Sequence, residues 1–582
     1  MDLYMQLFKN QVAQALSESI EALAGNAALS AEDVSNMLEY PPDPAMGDLA
    51  LPCFRLSKTL RRSPVQIADT LAGTVSCPCV ARVQAVNGYL NFYLSDDVLC
   101  GTVVGEILAK GEKYGAPDIG QGKEVVLDYS SPNLAKPFHI GHLGTTVIGH
   151  SLKKLHEFAG YHCTGINYVG DWGTQFGKLI VAYKKWGDRE TVEKGGVDAL
   201  VDLYVRINNA ISGNEEQGIP ADPALADEAR AEFRKMEQGD EENLALWKWL
   251  VAMSLKANDE TYKQLGITFD SYKGESAYTD LMPAQVQKLR DMGLLKLDDG
   301  ASIVDLEEYG MPPCLILKRD GSSLYPTRDI AAAVDRQEMY HFDKCIYVTS
   351  AGQSLHFKQW FKVVELMGYP WFDKLVHVPY GTVSINGAKL ATRTGNVILL
   401  RDLFAAAIEK VSDIMEEKSP NMPNKAEVAE AVGVGAIVFY YLSNNRIRDI
   451  NFVMEDALSF DGNTGPYVQY TYARTCSIME KSAGKVSEGG MKVTSSEESA
   501  LVKTLARFPE EVMSALESYE PSVITRYILD VAADFNRFYH NCPILSAEDA
   551  DVLRTRVRLT EATKTVLGNA FELICLKKLE KI

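Results

Sequence analysis

The chain has 582 residues, 46% of them apolar and 24% charged, a globular composition that excludes collagen-like and intrinsically disordered chains. At about one domain per 150 residues, that length predicts roughly four structural units, each large enough to build its own core. Lys and Arg number 59 against 78 Asp and Glu, and the net charge of −19 excludes a protein that coats DNA or anionic membrane non-specifically. A nucleic-acid partner held by local basic patches stays open.

In chain order, residues 1–115 read as a separate N-terminal α+β unit. Its opening helix places Leu7, Val12, Ala15, Leu16, Ile20 and Leu23 on an amphipathic face, and Pro41, Pro42 and Pro44 then break the chain. Residues 89–94 have strand composition after the turn signal Asn87-Gly88. Residues 110–123, rich in Gly and Lys, predict a linker.

Residues 124–129 form a short apolar run suited to a buried parallel strand. A loop over 130–139, a helix over about 142–159 and a second strand over 163–169 complete a βαβ pattern. Further strand candidates lie at 315–318, 344–349 and 374–378, and residues 185–265 predict a charged helical insertion broken at Gly187-Asp188 and over 212–223. Beyond about 402 strand signals nearly vanish, and a polar stretch over 482–499 predicts a flexible connection between helices. The expected fold is α/β, a doubly wound parallel (Rossmann-type) sheet over 121–402 carrying the helical insertion. An N-terminal α+β domain over 1–115 and an all-helical C-terminal domain over 403–582 flank it.

Ten cysteines are ordinary usage, and the one close pair, Cys77 and Cys79, cannot close a four-ligand zinc site. Neither structural zinc nor a disulfide framework is expected. The first seven residues lack a basic region followed by an apolar core, and the strongest apolar run, 434–442, falls far short of the ~20 residues that span a bilayer. A soluble, cytoplasmic protein without membrane contact is expected.

The most informative segment is 130–142. It lies where a βαβ unit exposes backbone N–H groups and the positive end of a helix dipole, a natural phosphate site. His139 and His142, three apart with Gly141 between them, suit donation to phosphate oxygens and close approach of a nucleotide. A metal pair or two solvated histidines are the alternatives on that spacing alone.

His139-Ile140-Gly141-His142 resembles the signature of class I aminoacyl-tRNA synthetases. The longer string Ser131-Pro132-Asn133-Leu134-Ala135-Lys136-Pro137-Phe138-His139-Ile140-Gly141-His142-Leu143 is similar to that of the arginyl-tRNA synthetases. Residues 167–177, 324–333, 462–470 and 535–539 extend the resemblance over nearly the whole chain, in the family's order.

The resemblance implies an arginine–tRNA ligase using ATP with Mg2+ as its substrate complex and tRNA(Arg) as its partner. Arginine would become arginyl-adenylate, and the arginyl group would pass to the 2′-hydroxyl of the terminal adenosine. Similar enzymes commonly need bound tRNA before they activate arginine. His139, His142, Lys136, Lys389 and Arg393 would act on the phosphates. Ser131, Asn133, His139, Gly141, His142 and Lys389 would hold ATP. Residues 1–115 would contact the elbow of the tRNA, and a monomer is expected.

Arginine's guanidinium is planar, always charged and carries five donors, so a selective pocket needs carboxylates in a fork. Glu275 and Asp329 fit that demand, and Tyr325 and Asp329 share a face if a helix begins there. The resemblance gives these three the guanidinium and gives Asn133 and Gln353 the α-amino and carboxylate end. Ordinary ion pairing or helix capping is the other reading of the two acids. The family's second signature, a Lys-Met-Ser-Lys-Ser loop, aligns with residues 389–396. Lys389 is kept there, Thr392 replaces the second lysine, and Arg393 follows.

Residues 551–582 carry seven basic against four acidic side chains, and Phe535, Phe538 and Tyr539 could stack anticodon bases. Equally, Leu559, Val566, Leu567 and Phe571 mark a core-packing helix with a solvated charged face. Two rival functions remain: a class I enzyme of different specificity, and a non-catalytic RNA-binding paralogue for which the altered Lys389 loop speaks.

Overall fold

The computed structural model describes the chain except residues 1, 25–28, 42, 135–137, 216, 320, 386–387, 390–397, 419 and 487, and the side chains of 2, 3, 44, 388 and 389. The N-terminal part is an antiparallel sheet of β1 (Leu49–Pro52), β2 (Val80–Val86) and β3 (Tyr89–Leu94), ordered β1-β3-β2. Asn87 at φ +49° and Gly88 at φ +82° turn β2 into β3, because a two-residue hairpin matched to strand twist needs positive φ at both positions. The helix Pro64–Thr74 packs on the sheet, and the helix Asp2–Ala24 packs on that helix and on the helix Ala31–Met37, with Val12, Leu16 and Ile20 fully buried, whereas Leu7, assigned to the same face, is 43% exposed.

The expected linker over 110–123 is a packed joint. Tyr114 is fully buried, its ring stacks on Phe508 at 6.1 Å and its hydroxyl donates to the Leu505 carbonyl at 3.2 Å. The Asn569 amide donates to the carbonyls of Gly111 and Tyr114 at 3.0 and 3.2 Å. Composition averages over a segment and misses one anchoring aromatic, which is why Gly and Lys content suggested a loose connection.

The central sheet contains β4 (Glu124–Asp128) and β5 (His162–Ile166). After the separate strands β6 (Leu295–Asp298), β7 (Ala301–Val304) and β8 (Cys314–Leu317), it continues with β9 (Lys344–Ser350) and β10 (Leu375–Tyr380). Its order is β10-β9-β4-β5 and all its pairings are parallel. The strand expected at 315–318 exists as β8 but belongs to an antiparallel sheet with β6 and β7. A short apolar run specifies a strand, not its partner.

Alternation along the central strands feeds two cores. Val125, Leu127, Ile346 and Val348 face a cluster shared with the helix Leu143–Phe158 and the C-terminal helices. Val126, Cys345 and Tyr347 face a second cluster built with the helices Tyr325–Tyr340 and Ser354–Leu366. Both faces are therefore covered, as a parallel sheet requires. The chain leaves β4 toward β5 and leaves β9 toward β10, so β4 and β9 flank a switch point whose carboxyl edge is the natural crevice for a ligand.

The insertion is helical as expected, with helices Arg189–Ser212, Ala224–Glu237 and Glu241–Leu265 around their own core. After β11 (Val383–Ile385) and β12 (Ala388–Lys389), helices dominate among the described residues, with β13 (Ile450–Phe452) pairing parallel with β11. The polar stretch before the helix Ser496–Ala506 is tethered: Lys492 N–H donates to Thr555 Oγ1 at 2.8 Å and Val493 N–H to Asp97 at 2.7 Å. At Lys492 and Val493 the polar stretch is thus held by hydrogen bonds to neighbouring segments. Among the described residues no helix is long and apolar enough to cross a membrane.

Candidate active site

The loop leaving β4 begins with two consecutive non-glycine residues in the left-handed region, Ser130 at φ +69° and Ser131 at φ +48°. Each costs about 1–2 kcal/mol, so the surroundings must hold them. Ser131 Oγ donates to Asp128 Oδ1 at 2.8 Å and accepts from Tyr168 N–H at 3.2 Å, and Ser131 N–H donates to Asn167 at 3.1 Å. Ser130 N–H donates to Thr145 at 3.0 Å. Asp128 itself is anchored by Arg336 at 2.8 Å, a pair with both side chains buried and the guanidinium between the rings of Tyr168 and Tyr347. Asn133 is bridged to Gly170, where Leu134 N–H donates to the Gly170 carbonyl at 3.2 Å. A Cβ at position 170 would lie 2.3 Å from Asn133 Oδ1 and 3.2 Å from Asn133 Cα, so a side chain there would displace the Asn133 amide.

His139 precedes a short 3-10 turn, Ile140–His142, that runs into the helix Leu143–Phe158. Gly141 N–H donates to His139 Nδ1 at 3.0 Å and His139 N–H donates to His142 Nδ1 at 3.1 Å. A nitrogen that accepts carries no proton, so each neutral ring holds its hydrogen on Nε2. The rings sit 4.1 Å apart, and Phe138 stacks on His142 at 5.1 Å. Two Nε2–H donors at a helix start suit an anion. The turn is also tied to the segment after the Lys389 loop, through Ile140 N–H to the Ile398 carbonyl at 3.3 Å and Leu400 N–H to that of Phe138 at 3.1 Å.

On the other side lie the acids. Glu275 opens the turn Glu275–Leu281, and its N–H donates to the Val169 carbonyl at 3.1 Å, next to Gly170. Its Oε2 accepts from Arg328 at 2.8 Å, with each side chain 15% exposed. Burial pushes the Glu275 carboxyl up to about 7; Arg328 opposes this, and nearby Asp329 and Asp171 add to it. Asp329 Oδ2 accepts from His356 Nε2 at 2.6 Å. Asp171 accepts from the backbone N–H and hydroxyl of Ser276 at 2.8 and 2.6 Å, and burial raises its carboxyl too.

Tyr325 is the first residue of the helix Tyr325–Tyr340, so it and Asp329 do share one face, and its ring is 67% exposed. Gln353 ends the turn Ala351–Gln353 after β9, three residues before His356. Asn133 is thus linked to Gly170, Glu275 to Val169 and Arg328, and Asp329 to His356, with Gln353 three residues before His356 in the chain. Lys136 and Arg393 lie outside the described residues, and of Lys389 only the backbone in β12 is described, opposite Ser384. Arg328, His356 and Asp171 were not among the expected site residues. Arg328 adjoins Asp329 in the sequence, but its partner is 53 residues away.

In the C-terminal part Phe535 and Phe538 are fully buried, so they are core and not stacking surfaces. Tyr539 and Tyr470 are 40% and 44% exposed, with the Arg474 guanidinium 4.6 and 5.0 Å from their rings. Much of the basic excess over 551–582 is paired, Arg554 with Asp551, Arg556 with the buried Glu498, and Arg558 with Glu561.

Known proteins resemble this arrangement along its whole length. Three family models match: tRNA synthetases class I (R), catalytic domain, over residues 103–454; DALR anticodon binding domain over 468–582; and Arginyl tRNA synthetase N terminal domain over 6–94. The arginine–tRNA ligase of Alkaliphilus metalliredigens is 46% identical over 581 residues, covering 99% of this chain and 100% of the relative. That of Clostridium botulinum is 46% identical over 576 residues with the same coverage. The solved structure of Thermus thermophilus arginyl-tRNA synthetase shares the fold at a TM-score of 0.74 and 24% identity, over 98% of this chain and 99% of that one. With its two Nε2–H donors at the switch point, and with such relatives along its entire length, the chain belongs to the class I arginyl-tRNA synthetase family.

Proposed function

We propose that the chain joins arginine to tRNA(Arg) in two steps at the carboxyl edge of the central sheet. The observation that carries this reading is the pairing of the two acids. Arg328 engages one oxygen of Glu275 and His356 one oxygen of Asp329, leaving each carboxylate a second oxygen for a ligand. Two such oxygens form the acceptor fork that a guanidinium needs. Tyr325 closes that end, while Asn133 and Gln353 bind the α-amino and carboxylate groups.

The arginine carboxylate attacks the α-phosphorus of Mg-ATP; a new P–O bond forms and the bond to the bridging oxygen breaks, releasing pyrophosphate. Nε2–H of His139 and of His142 donate to phosphate oxygens as charge develops, with Ser131 and the Gly141 backbone against the nucleotide. Lys136, Lys389 and Arg393 add positive charge to the leaving pyrophosphate. The 2′-hydroxyl of the terminal adenosine then attacks the carbonyl carbon, and AMP leaves. No side chain becomes covalent; alignment and electrostatics supply the rate.

The exposed Tyr470 and Tyr539, with Arg474 between them, offer stacking faces for unpaired anticodon bases. The N-terminal unit, over 1–115, takes the tRNA elbow, the sheet with its insertion occupies 121–402, and the anticodon end lies in 403–582. The protein works as a cytoplasmic monomer.

Charging of total tRNA with each of the twenty labelled amino acids tests the reading. ATP-dependent labelling with arginine alone is expected, and His142→Ala should lower it by about 100-fold or more while tRNA binding persists. Labelling with another amino acid, or none despite tRNA binding, overturns it.

A further inference from the structure

One side chain of the helical insertion reaches beneath the nucleotide end of the site. Tyr262, near the end of the helix Glu241–Leu265, is 2% exposed. Its hydroxyl lies 2.7 Å from Ser130 Oγ and accepts from the Asn167 amide at 3.1 Å. With Asn167 donating, the Tyr262 hydroxyl still has its own proton and a second lone pair for Ser130.

Both partners hold the strained turn. Asn167 Oδ1 accepts the N–H of Ser131, and Ser130 Oγ lies 2.8 Å from Thr146 Oγ1, whose hydroxyl also reaches the His142 carbonyl at 2.7 Å. A string of hydrogen bonds thus runs from Asn167 through Tyr262, Ser130 and Thr146 to the backbone of His142. The Tyr262 ring adds a second connection. It meets Phe138 edge-on at 5.5 Å, and Phe138 stacks on His142. Phe269 meets the same ring edge-on at 5.0 Å.

We propose that Tyr262 is a positioning residue for adenylate formation, its hydroxyl fixing the left-handed Ser130–Ser131 turn and, through Thr146, the placement of His142. The inference rests on the reading of His139 and His142 as phosphate donors. It assigns a task to the insertion: its last helix braces the nucleotide end through Tyr262. A displacement of the imidazole by a fraction of an ångström lowers the rate without altering how arginine is held.

The test uses the full chain with tRNA and measures kcat and the separate KM values for ATP, arginine and tRNA. Tyr262→Phe keeps the ring and removes only the hydroxyl. A fall in kcat of about 10-fold or more is expected, with KM for arginine and tRNA unchanged within about twofold. Thr146→Val, on the far side of Ser130, should give the same pattern. The double variant should cost less than the product of the two, because both break one string.

A lower melting temperature with unchanged kcat in both variants makes the hydroxyl merely structural and overturns the proposal, as does a rise in arginine KM matching the loss of kcat. Wild-type charging and His142→Ala, run alongside, separate this outcome from failure of the underlying reading. If His142→Ala turns over like wild type, it is the phosphate assignment that falls.

Discussion

Glu275 is the side chain whose environment most changes its chemistry. Burial outweighs the nearby Arg328, so the carboxyl titrates near 7 instead of at its ordinary 4.5. Because its proton is held more tightly in the folded than in the unfolded chain, its contribution to stability is complete below about pH 4.5 and is lost as pH rises through about 7. Substrate binding runs the other way, since a guanidinium needs the ionised form. KM for arginine should therefore rise as pH falls below about 7, by up to about tenfold per unit, and Glu275→Gln should raise KM and flatten that profile. A KM independent of pH in the wild type would detach Glu275 from the pocket. The two histidines were legible because their spacing lies within one turn of chain. The partners of the acids were not: Arg328 meets Glu275 across 53 residues and His356 meets Asp329 across 27, separations that no local pattern encodes.

Among the elements, the helix Leu143–Phe158 shows how closely the sheet must be approached. A Cβ at Gly149 would lie 2.2 Å from Tyr129 Cβ, an atom at the root of its side chain that cannot swing aside. Alanine would gain up to about 1 kcal/mol of helix propensity, but overpacking costs about 1–3 kcal/mol and should win. Gly149→Ala should thus melt lower than wild type. Gly73→Ala, in the helix Pro64–Thr74 with nothing within 4 Å, should melt no lower or slightly higher. Equal shifts in the two variants would refute the close-approach argument. The helix itself, both neighbouring strands and the Asn87-Gly88 hairpin were legible because each rests on local periodicity or turn chemistry. The membership of β8 in an antiparallel sheet was not, since pairing is chosen by the rest of the fold.

Over the whole molecule, the sheet and the C-terminal helices behave as one packed body. Arg446 donates to the carbonyl of Pro379 at the end of β10 at 2.7 Å and to that of Tyr519 at 2.9 Å, and the Ser151 hydroxyl donates to the Leu573 carbonyl at 2.6 Å. Two buried histidines lie at this joint. His156 Nδ1–H donates to the Leu152 carbonyl at 2.7 Å while its ring stacks on Tyr519, and His150 contacts the Tyr129 hydroxyl at 3.1 Å. Burial lowers His156 to about 4 and His150 to about 3, against an ordinary 6.5. Depressed values mean that the unfolded chain takes up protons first, so their stabilising contribution is present above about pH 6.5 and is lost as pH falls toward about 4 and then 3. The two histidines should lower the denaturant midpoint below about pH 6.5 against the opposite contribution of Glu275, and His156→Phe should shift the pH dependence toward less loss on acidification. An unchanged slope would place the acid sensitivity elsewhere.

Local pattern along the chain was enough to specify the β-strand, loop, helix, β-strand order around the two histidines, the helical insertion, the helical C-terminal part and the resemblance that names the family. Each of these is written in short-range spacing or in strings of residues contiguous along the chain. The packing of distant segments alone makes residues 110–123 a packed joint instead of a linker, puts Phe535 and Phe538 in the core while Tyr470 and Tyr539 stay at the surface, and brings Tyr262 to Ser130. Those outcomes depend on which distant segments exclude water from one another, and burial is a property of the packed chain, not of any residue within it.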